Sequence, residues 1–183
     1  SIEEISKKIK TKNGMILHSS GTKGKDALSN HLNFGVFYPL QTFNFNKKID
    51  FTKTPILIEG NSQKSLEKLK EWCRILEAEF EEVDSKKRLH YHLAASFANN
   101  FTNHILSLTD ELVNKFKLEK KFFIPIANET FKKFQSNKSK ESQTGPAVRN
   151  DVKTLKKHEE ILKKSNYLNL YKIITKSIKK NGL

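Results

Sequence analysis

The segment Leu89–Thr109 contains no Asp, Glu, Lys or Arg, although these residues make up 30% of the chain. Its apolar residues recur at helical spacing, which predicts a long helix from about Ser85 to Phe116. A helix on the surface of a globular protein carries charges on its outer face. We therefore expect this helix to be buried on most sides, in the middle of its domain.

The charge-free helix has an apolar face and a polar face. The apolar stripe consists of Phe97, Phe101, Ile105, Leu108, Leu112 and Phe116. The roughly opposite stripe has short polar side chains, namely His92, Ser96, Asn99 and Asn103. Buried polar groups must be hydrogen-bonded, either in a network between helices or to a ligand. In the second alternative His92 transfers a proton, because the pKa of histidine lies near neutral pH, and the asparagines orient a substrate or a cofactor amide.

Residues 1–84 alternate helices and strands, as an α/β domain does. The pattern predicts a helix over 2–10, strands over 15–17, 34–38 and 55–60, and a helix that Ser62 caps. The buried stripe of that helix is predicted to contain Leu66, Leu69, Trp72, Cys73 and Leu76. The strand at 15–17 needs neighbours to form a parallel sheet. We therefore expect the chain to begin within a larger α/β sheet.

Beyond Asp84 the sequence is entirely helical in character. Further helices are predicted near 125–136, 147–164 and 167–180, and surface loops over 44–54 and 136–143. The expected fold is thus an α/β fragment, the end of a Rossmann-like sheet, over residues 1–84. A helical substrate-binding and dimerisation domain follows over residues 85–183.

Two other polar motifs are candidate binding loops. His18-Ser19-Ser20-Gly21 follows a predicted strand, where α/β sheets bind ligands; a tight turn without a ligand is the alternative. Thr144-Gly145-Pro146 opens a second motif, which continues to Arg149 and Asp151 before a helix. Backbone N–H groups at a helix start and an arginine bind anions. An ion pair of Arg149 with Asp151 or a neighbouring carboxylate is the alternative.

Composition argues against several classes of function. The net charge is +14, but nearly all of it comes from scattered lysines that do not alternate with aromatic residues, which disfavours nucleic-acid binding. The single cysteine, Cys73, excludes a disulfide framework. The histidine spacings do not suit a metal ion, so we expect no metal site. Apolar runs are too short for a membrane span, and we expect a cytoplasmic protein.

Several motifs, taken together and in order, resemble a bacterial family with an N-terminal Rossmann-like domain and a C-terminal domain of unknown function. That family is allied to pyrroline-5-carboxylate reductase and to the 6-phosphogluconate dehydrogenase C-terminal-domain superfamily. The resemblance covers nearly the whole chain. It rests on His18-Ser19-Ser20-Gly21, Tyr38-Pro39-Leu40-Gln41-Thr42-Phe43, Ile58-Glu59-Gly60, His92 with Ala94-Ala95 and Asn99-Asn100, and Thr144-Gly145-Pro146 through Arg149 and Asp151.

The resemblance implies an oxidoreductase dependent on NADP or NAD, with its active site between the two domains, a small carbonyl or imine substrate and a homodimeric assembly. It implies that His92, Asn99 and Asn100 are catalytic. It implies that His18, Ser19, Ser20 and Gly21 bind the cofactor, and that Gln41, Thr144, Gly145 and Arg149 bind the substrate. The chain departs from the pattern in lacking the Gly-rich strand–turn–helix that grips a pyrophosphate and a counterpart of the superfamily's catalytic lysine.

Two other functions stay open at this point. The chain could be a non-catalytic dimeric binding or scaffold protein derived from such a reductase. The basic charge leaves nucleic-acid binding as a third and least favoured alternative.

Overall fold

The structure, a computed structural model, describes residues 1–43, 48–136, 139 and 141–181. The chain divides into two compact units, Ser1–Thr109 and Asp110–Leu183. The domain boundary expected after Asp84 rests on the change in sequence pattern and stays a prediction. Parts of both predicted surface loops, residues 44–47 and residues 137, 138 and 140, lie outside the described residues.

The first unit contains a four-stranded mixed sheet with the order β1-β2-β3-β4. Its strands are β1 (Ile16–His18), β2 (Phe34–Pro39), β3 (Ile56–Gly60) and β4 (Phe80–Glu82). The pairs β1–β2 and β3–β4 are parallel, whereas β2 and β3 are antiparallel. Three strands were predicted from their apolar runs. The fourth was missed because Phe-Glu-Glu offers only one apolar residue to recognise.

The predicted helices of the α/β part are present. Helix α1 (Ile2–Lys8) begins with a capping box between Ser1 and Glu4, and α2 (Gln63–Ile75) is capped by the hydroxyl of Ser62, as predicted. One face of α2 packs against the sheet. The core they form contains Ile56, Ile58, Leu66, Leu69, Cys73 and Ala78, with Met15, Leu17, Phe37, Phe51, Trp72 and Leu76 partly buried around it. Short 3₁₀ turns occupy Lys25–Leu28 and Phe51–Lys53.

The predicted long helix is present but has an interruption and more exposure than expected. It consists of α3 (Ser85–Ala95), a π-helical turn (Ser96–Phe101) and α4 (Thr102–Lys115). The expectation that it is buried on most sides is wrong for the single chain, since no residue of the charge-free segment is buried. Phe97, Phe101 and Ile105 are 61%, 53% and 40% exposed. Low charge alone does not reveal what covers a helix.

The second unit contains the C-terminal helices. They are α5 (Ile124–Gln135), α6 (Val152–Leu162) and α7 (Leu168–Asn181), with a 3₁₀ turn at Lys120–Phe122. Helix α6 begins five residues later than the predicted start at residue 147. The reason is that Asn150 has a positive φ of 51° and Asp151 caps the helix by accepting from the backbone N–H of Thr154. In the described part of the chain, no helix combines the length and apolar character needed to cross a membrane.

Candidate active site

Two loops lie side by side where β1 and β2 end. The strands are parallel and pair His18 with Val36, so the loop that follows His18 and the segment that follows Tyr38 leave the same end of the sheet. Helix α3 contacts the loop after His18 through Arg88 and the end of β2 through His92. This corner of the first unit brings together motifs that are far apart in the sequence.

His18 holds its own loop in shape. The side chain is buried, its Nδ1 accepts a hydrogen bond from the N–H of Ser20 at 3.2 Å, and its Nε2 lies 3.1 Å from the carbonyl oxygen of Gly24. A neutral imidazole with its proton on Nε2 satisfies both contacts. Burial lowers the pKa of His18, and the hydrogen bond to Gly24 only partly offsets this effect. Both ring nitrogens are thus occupied, and His18 shapes the loop.

The loop after His18 is a compact turn. The hydroxyl of Ser20 accepts hydrogen bonds from the N–H groups of Thr22 at 3.2 Å and Lys23 at 3.1 Å. Side-chain hydroxyls stabilise turns in this way. Gly21 is buried, and Ser19 is exposed. The predicted motif therefore forms a turn, and Ser19 is the member whose side chain projects outward.

Arg88 anchors this loop from α3. Its side chain is completely buried, its Nε donates to the carbonyl oxygen of Ser20 at 3.2 Å, and its Nη2 donates to that of Lys23 at 2.6 Å. Its Nη1 forms an ion pair with Glu59 of β3. A planar guanidinium can make these contacts together because its donors diverge in one plane. Arg88 thus ties the loop, the sheet and α3 to one another.

Glu59 is the buried counter-ion of Arg88. Its carboxylate also accepts from Lys25 at 3.1 Å and from the hydroxyl of Ser85 at 2.9 Å. Burial by itself raises the pKa of Glu59, but the hydrogen bonds from Arg88, Lys25 and Ser85 outweigh burial and the net shift is downward. The carboxylate therefore stays ionised at neutral pH. Both members of the ion pair make further hydrogen bonds to neighbouring groups.

His92 lies one helical turn beyond Arg88 and faces the same corner. Its Nδ1 is 3.0 Å from the phenol oxygen of Tyr38, and the two rings meet edge to face. The backbone of Gly21 packs against the same ring, so closely that a Cβ on residue 21 would lie 2.6 Å from Nδ1. Burial raises the pKa of the Tyr38 phenol. The imidazole is therefore fixed between the turn of the first loop and the end of β2.

A cavity of about 290 Å³ opens next to this pair. It is lined by Tyr38, Leu40, Gln41, Thr42, His92, Ala95, Ser96, Asn99 and Asn100. None of these residues carries a formal charge, so the wall suits an uncharged group that donates and accepts hydrogen bonds. No group of three or more His, Cys, Asp or Glu that could hold a metal ion occurs in the described ranges.

The π-helical turn carries the two asparagines of the wall. Asn99 and Asn100 are exposed, and neither side chain has a hydrogen-bond partner among the described residues. π-helical turns inside α-helices occur frequently at functional sites. The hydroxyl of Ser96 donates back to the carbonyl oxygen of His92 at 3.0 Å. Free amides at this turn are available to a ligand, whereas Asn103 is exposed and is not part of the wall.

The Thr-Gly-Pro motif belongs to the second unit. Gly145 has a φ of +108°, which favours glycine, and the residues after it form turns that end at the cap residue Asp151. Asp151 accepts from the N–H of Thr154 at 3.0 Å and from its hydroxyl at 2.7 Å, while Thr144 and Arg149 are exposed. The main role of Asp151 is thus helix capping.

The structure places several of the residues named from the sequence near one another, together with three residues that had been given no role. The residues named are His18, Gly21, Gln41, His92, Asn99 and Asn100, and the structure brings these together in the first unit. The residues without a role were Tyr38, Glu59 and Arg88. A signal was present for Glu59, since a carboxylate inside the apolar run Ile56–Gly60 requires a buried cationic partner.

Comparison with known proteins identifies a family and two similar folds. Residues 54–178 match the family described as "Domain of unknown function (DUF2520)". The crystal structure of a "putative NADP oxidoreductase" from Bacteroides fragilis is 33% identical with a TM-score of 0.85, over 91% of this chain and 65% of that chain. A Thermotoga maritima protein of known structure is 19% identical with a TM-score of 0.75, over 98% of this chain and 73% of the other, which shows the fold alone. No curated protein matches the sequence.

These matches support the expected fold at a coarse level. The order of an α/β part followed by helices, similar to a Rossmann-like NADP oxidoreductase, was predicted. The sheet was expected to be parallel and is mixed, since β2 and β3 are antiparallel. The chain spans 65% of the length of the Bacteroides fragilis chain.

Proposed function

Because the chain belongs to the DUF2520 domain family, and resembles the Bacteroides fragilis protein at 33% identity, we propose that it acts as an oxidoreductase dependent on NADP or NAD. Its substrate is a small molecule with a carbonyl or imine group. Residues 1–84 are the C-terminal part of a Rossmann-like domain, and residues 85–183 are a helical domain of the 6-phosphogluconate dehydrogenase C-terminal type.

The observation that carries this proposal is the position of His92 in the wall of an uncharged cavity. Its imidazole is fixed by Tyr38 at 3.0 Å and packs on Gly21. Histidine is suited to donate and accept protons near neutral pH. In the proposed reaction His92 donates a proton to, or accepts one from, the oxygen or nitrogen of the substrate, and it occupies a fixed position before the substrate binds.

We assign the side-chain amides of the cavity wall the role of orienting the substrate. Asn99 and Asn100 offer donors and acceptors that are free in the described structure. Gln41 is exposed just after the end of β2, where its side-chain oxygen accepts from the N–H of Thr42 at 2.8 Å and its amide nitrogen has no partner among the described residues. In the proposed site Asn99 and Asn100 orient the substrate and the cofactor amide by hydrogen bonds, and Gln41 binds the substrate.

The residues of the first loop fit the nicotinamide end of the cofactor. A neutral carboxamide matches the uncharged wall, and the imidazole of His92, which packs on Gly21, connects that wall to the first loop. NADP or NAD, when bound, supplies or accepts the hydride. In this assignment Ser19, Ser20 and Gly21 contact the cofactor, and His18 fixes the turn that presents them. We assign Thr144, Gly145 and Arg149 of the second unit to substrate binding.

Cofactor binding and turnover in the full-length protein test this proposal. We expect NADPH or NADH to raise the melting temperature and to be consumed with small ketones or cyclic imines. His92→Ala should lower the turnover by about 100-fold or more, the usual range for a general acid or base. His90→Ala is the matched control, because His90 is exposed on the same helix, and its turnover should be unchanged. Binding of neither cofactor would end the oxidoreductase proposal.

A second candidate is a dimeric binding protein without catalysis. It is supported by the apolar side chains of Phe97, Phe101 and Ile105, which remain exposed on the charge-free helix. Contiguous exposed apolar surface marks interaction sites, and homodimers bury such surfaces. Light scattering that shows dimers, together with no turnover of any carbonyl or imine tested, would favour this candidate. Dimers with turnover would fit the oxidoreductase.

A further inference from the structure

The contact between Tyr38 and His92 involves one defined nitrogen of the imidazole. Nδ1 lies 3.0 Å from the phenol oxygen, and the ring centroids are 6.1 Å apart at an interplanar angle of 71°. Gly21 covers the same edge of the ring, since a Cβ there would lie 2.6 Å from Nδ1 and 2.7 Å from Cγ. In the described part of the chain, Nε2 has no hydrogen-bond partner.

The direction of this hydrogen bond follows from what each group can offer. Burial raises the pKa of Tyr38, so the phenol keeps its hydrogen at neutral pH. His92 is the only hydrogen-bond partner of that hydroxyl among the described residues. A half-buried O–H without an acceptor is costly, so the favourable arrangement has the phenol donating and Nδ1 accepting. A neutral imidazole that accepts at Nδ1 carries its proton on Nε2.

We propose that Tyr38 is a positioning residue, which holds neutral His92 with its proton on Nε2 and leaves that N–H as the donor available to the cavity. In the proposed function this N–H binds the substrate atom by a hydrogen bond before any proton moves, and the proposal rests on that function only for the identity of the substrate. The substrate atom next to Nε2 is then a hydrogen-bond acceptor, a carbonyl oxygen or an unprotonated imine nitrogen. The wall, which has no charged residue, suits such a neutral group.

The tautomer of His92 can be read directly by NMR. Long-range ¹H–¹⁵N correlation spectra of the full-length protein, labelled with ¹⁵N-histidine, distinguish a protonated Nε2 from a protonated Nδ1 at about pH 8, where imidazole is neutral. The resonances of His92 are identified by their absence from the spectrum of His92→Asn. We expect the Nε2-protonated pattern, and we expect Tyr38→Phe to move the Nδ1 resonance downfield because its hydrogen bond is lost.

The chain offers matched controls for this experiment. Tyr91→Phe removes a phenol from the same helix, where Tyr91 donates to Glu81, and should leave His92 unchanged. In the second unit His158 contacts Tyr171 through Nδ1 at 2.8 Å. Tyr171→Phe should therefore shift the resonances of His158 and leave those of His92 unchanged. This result would show that each effect is local.

The outcomes separate this inference from the proposed function. A proton on Nδ1 in the wild-type protein, or an unchanged Nδ1 resonance in Tyr38→Phe, would overturn the role of Tyr38. The wild-type tautomer decides the question even where a variant folds poorly. Cofactor titration decides the oxidoreductase separately. A protein with the Nε2-protonated tautomer that binds neither NADPH nor NADH keeps the role of Tyr38 and loses the proposed reaction.

Discussion

The backbone of Gly21 supports the imidazole of His92. A Cβ atom on residue 21 would lie 2.6 Å from Nδ1 and 3.0 Å from Cβ of His92, closer than atoms pack. We expect Gly21→Ala to push the imidazole away from Tyr38 and to reduce the unfolding free energy by about 1–3 kcal/mol, the usual cost of overpacking. Urea unfolding measures the stability, and the NMR resonances of His92 report its displacement.

Gly24→Ala is the control for this substitution. Gly24 belongs to the same loop, but a Cβ on residue 24 would have the hydroxyl of Ser85 as its nearest neighbour at 3.5 Å, an ordinary contact. We expect a stability change within about 0.5 kcal/mol and unchanged His92 resonances. Equal effects of the two substitutions would show that the packing of Gly21 on His92 does not cause the loss of stability.

Among the buried polar residues of the first unit, Arg88 is the one whose substitution we expect to lower the unfolding free energy most. Arg88→Met removes the guanidinium that binds Glu59 and the carbonyl oxygens of Ser20 and Lys23. It leaves a buried carboxylate with fewer partners, and breaking such a pair typically costs about 3–5 kcal/mol. Chemical denaturation should show this loss. Arg74→Met, at an exposed position of α2, should change the stability by less than about 0.5 kcal/mol.

His18 should make the stability depend on pH in the weakly acidic range. Burial lowers the pKa of His18 below its ordinary value of 6.5, so the unfolded chain binds the proton more readily than the folded one. The contribution of His18 is complete above about pH 6.5 and is lost as the pH falls through the lowered pKa. Unfolding free energies measured between about pH 8 and pH 5 should decrease more steeply in the wild type than in His18→Gln. Parallel curves would contradict this assignment.

Cys73 should be unreactive in the folded protein. The side chain is fully buried, and burial raises the pKa of the thiol to about 11, so very little thiolate forms at neutral pH. A chromogenic disulfide reagent should modify it slowly in buffer and rapidly in concentrated urea. Fast modification of the native protein would show that the packing of α2 on the sheet is loose enough to admit the reagent.

Local patterns in the sequence were enough to locate most helices and strands. Alternation of apolar residues and the cap at Ser62 depend on neighbours along the chain, so α2 and β3 were predictable within a residue or two. The π-helical turn at Ser96–Phe101 was not predicted, because the sequence has the same helical spacing on both sides of it. The start of α6 was misplaced because the positive φ of Asn150 moves the cap to Asp151.

By itself the sequence indicated the order of most elements, the candidate histidine at residue 92 and the polar loop after β1, because each is encoded by residues close together in the chain, whereas β4 and the π-helical turn were not indicated. The tertiary structure decided which distant residues meet. Tyr38 and His92 are 54 positions apart, and Arg88 reaches Ser20 across 68. Such contacts depend on strand pairing and helix placement, which no local pattern specifies. The same reason explains why the charge-free helix, expected inside its domain, exposes Phe97 at 61%.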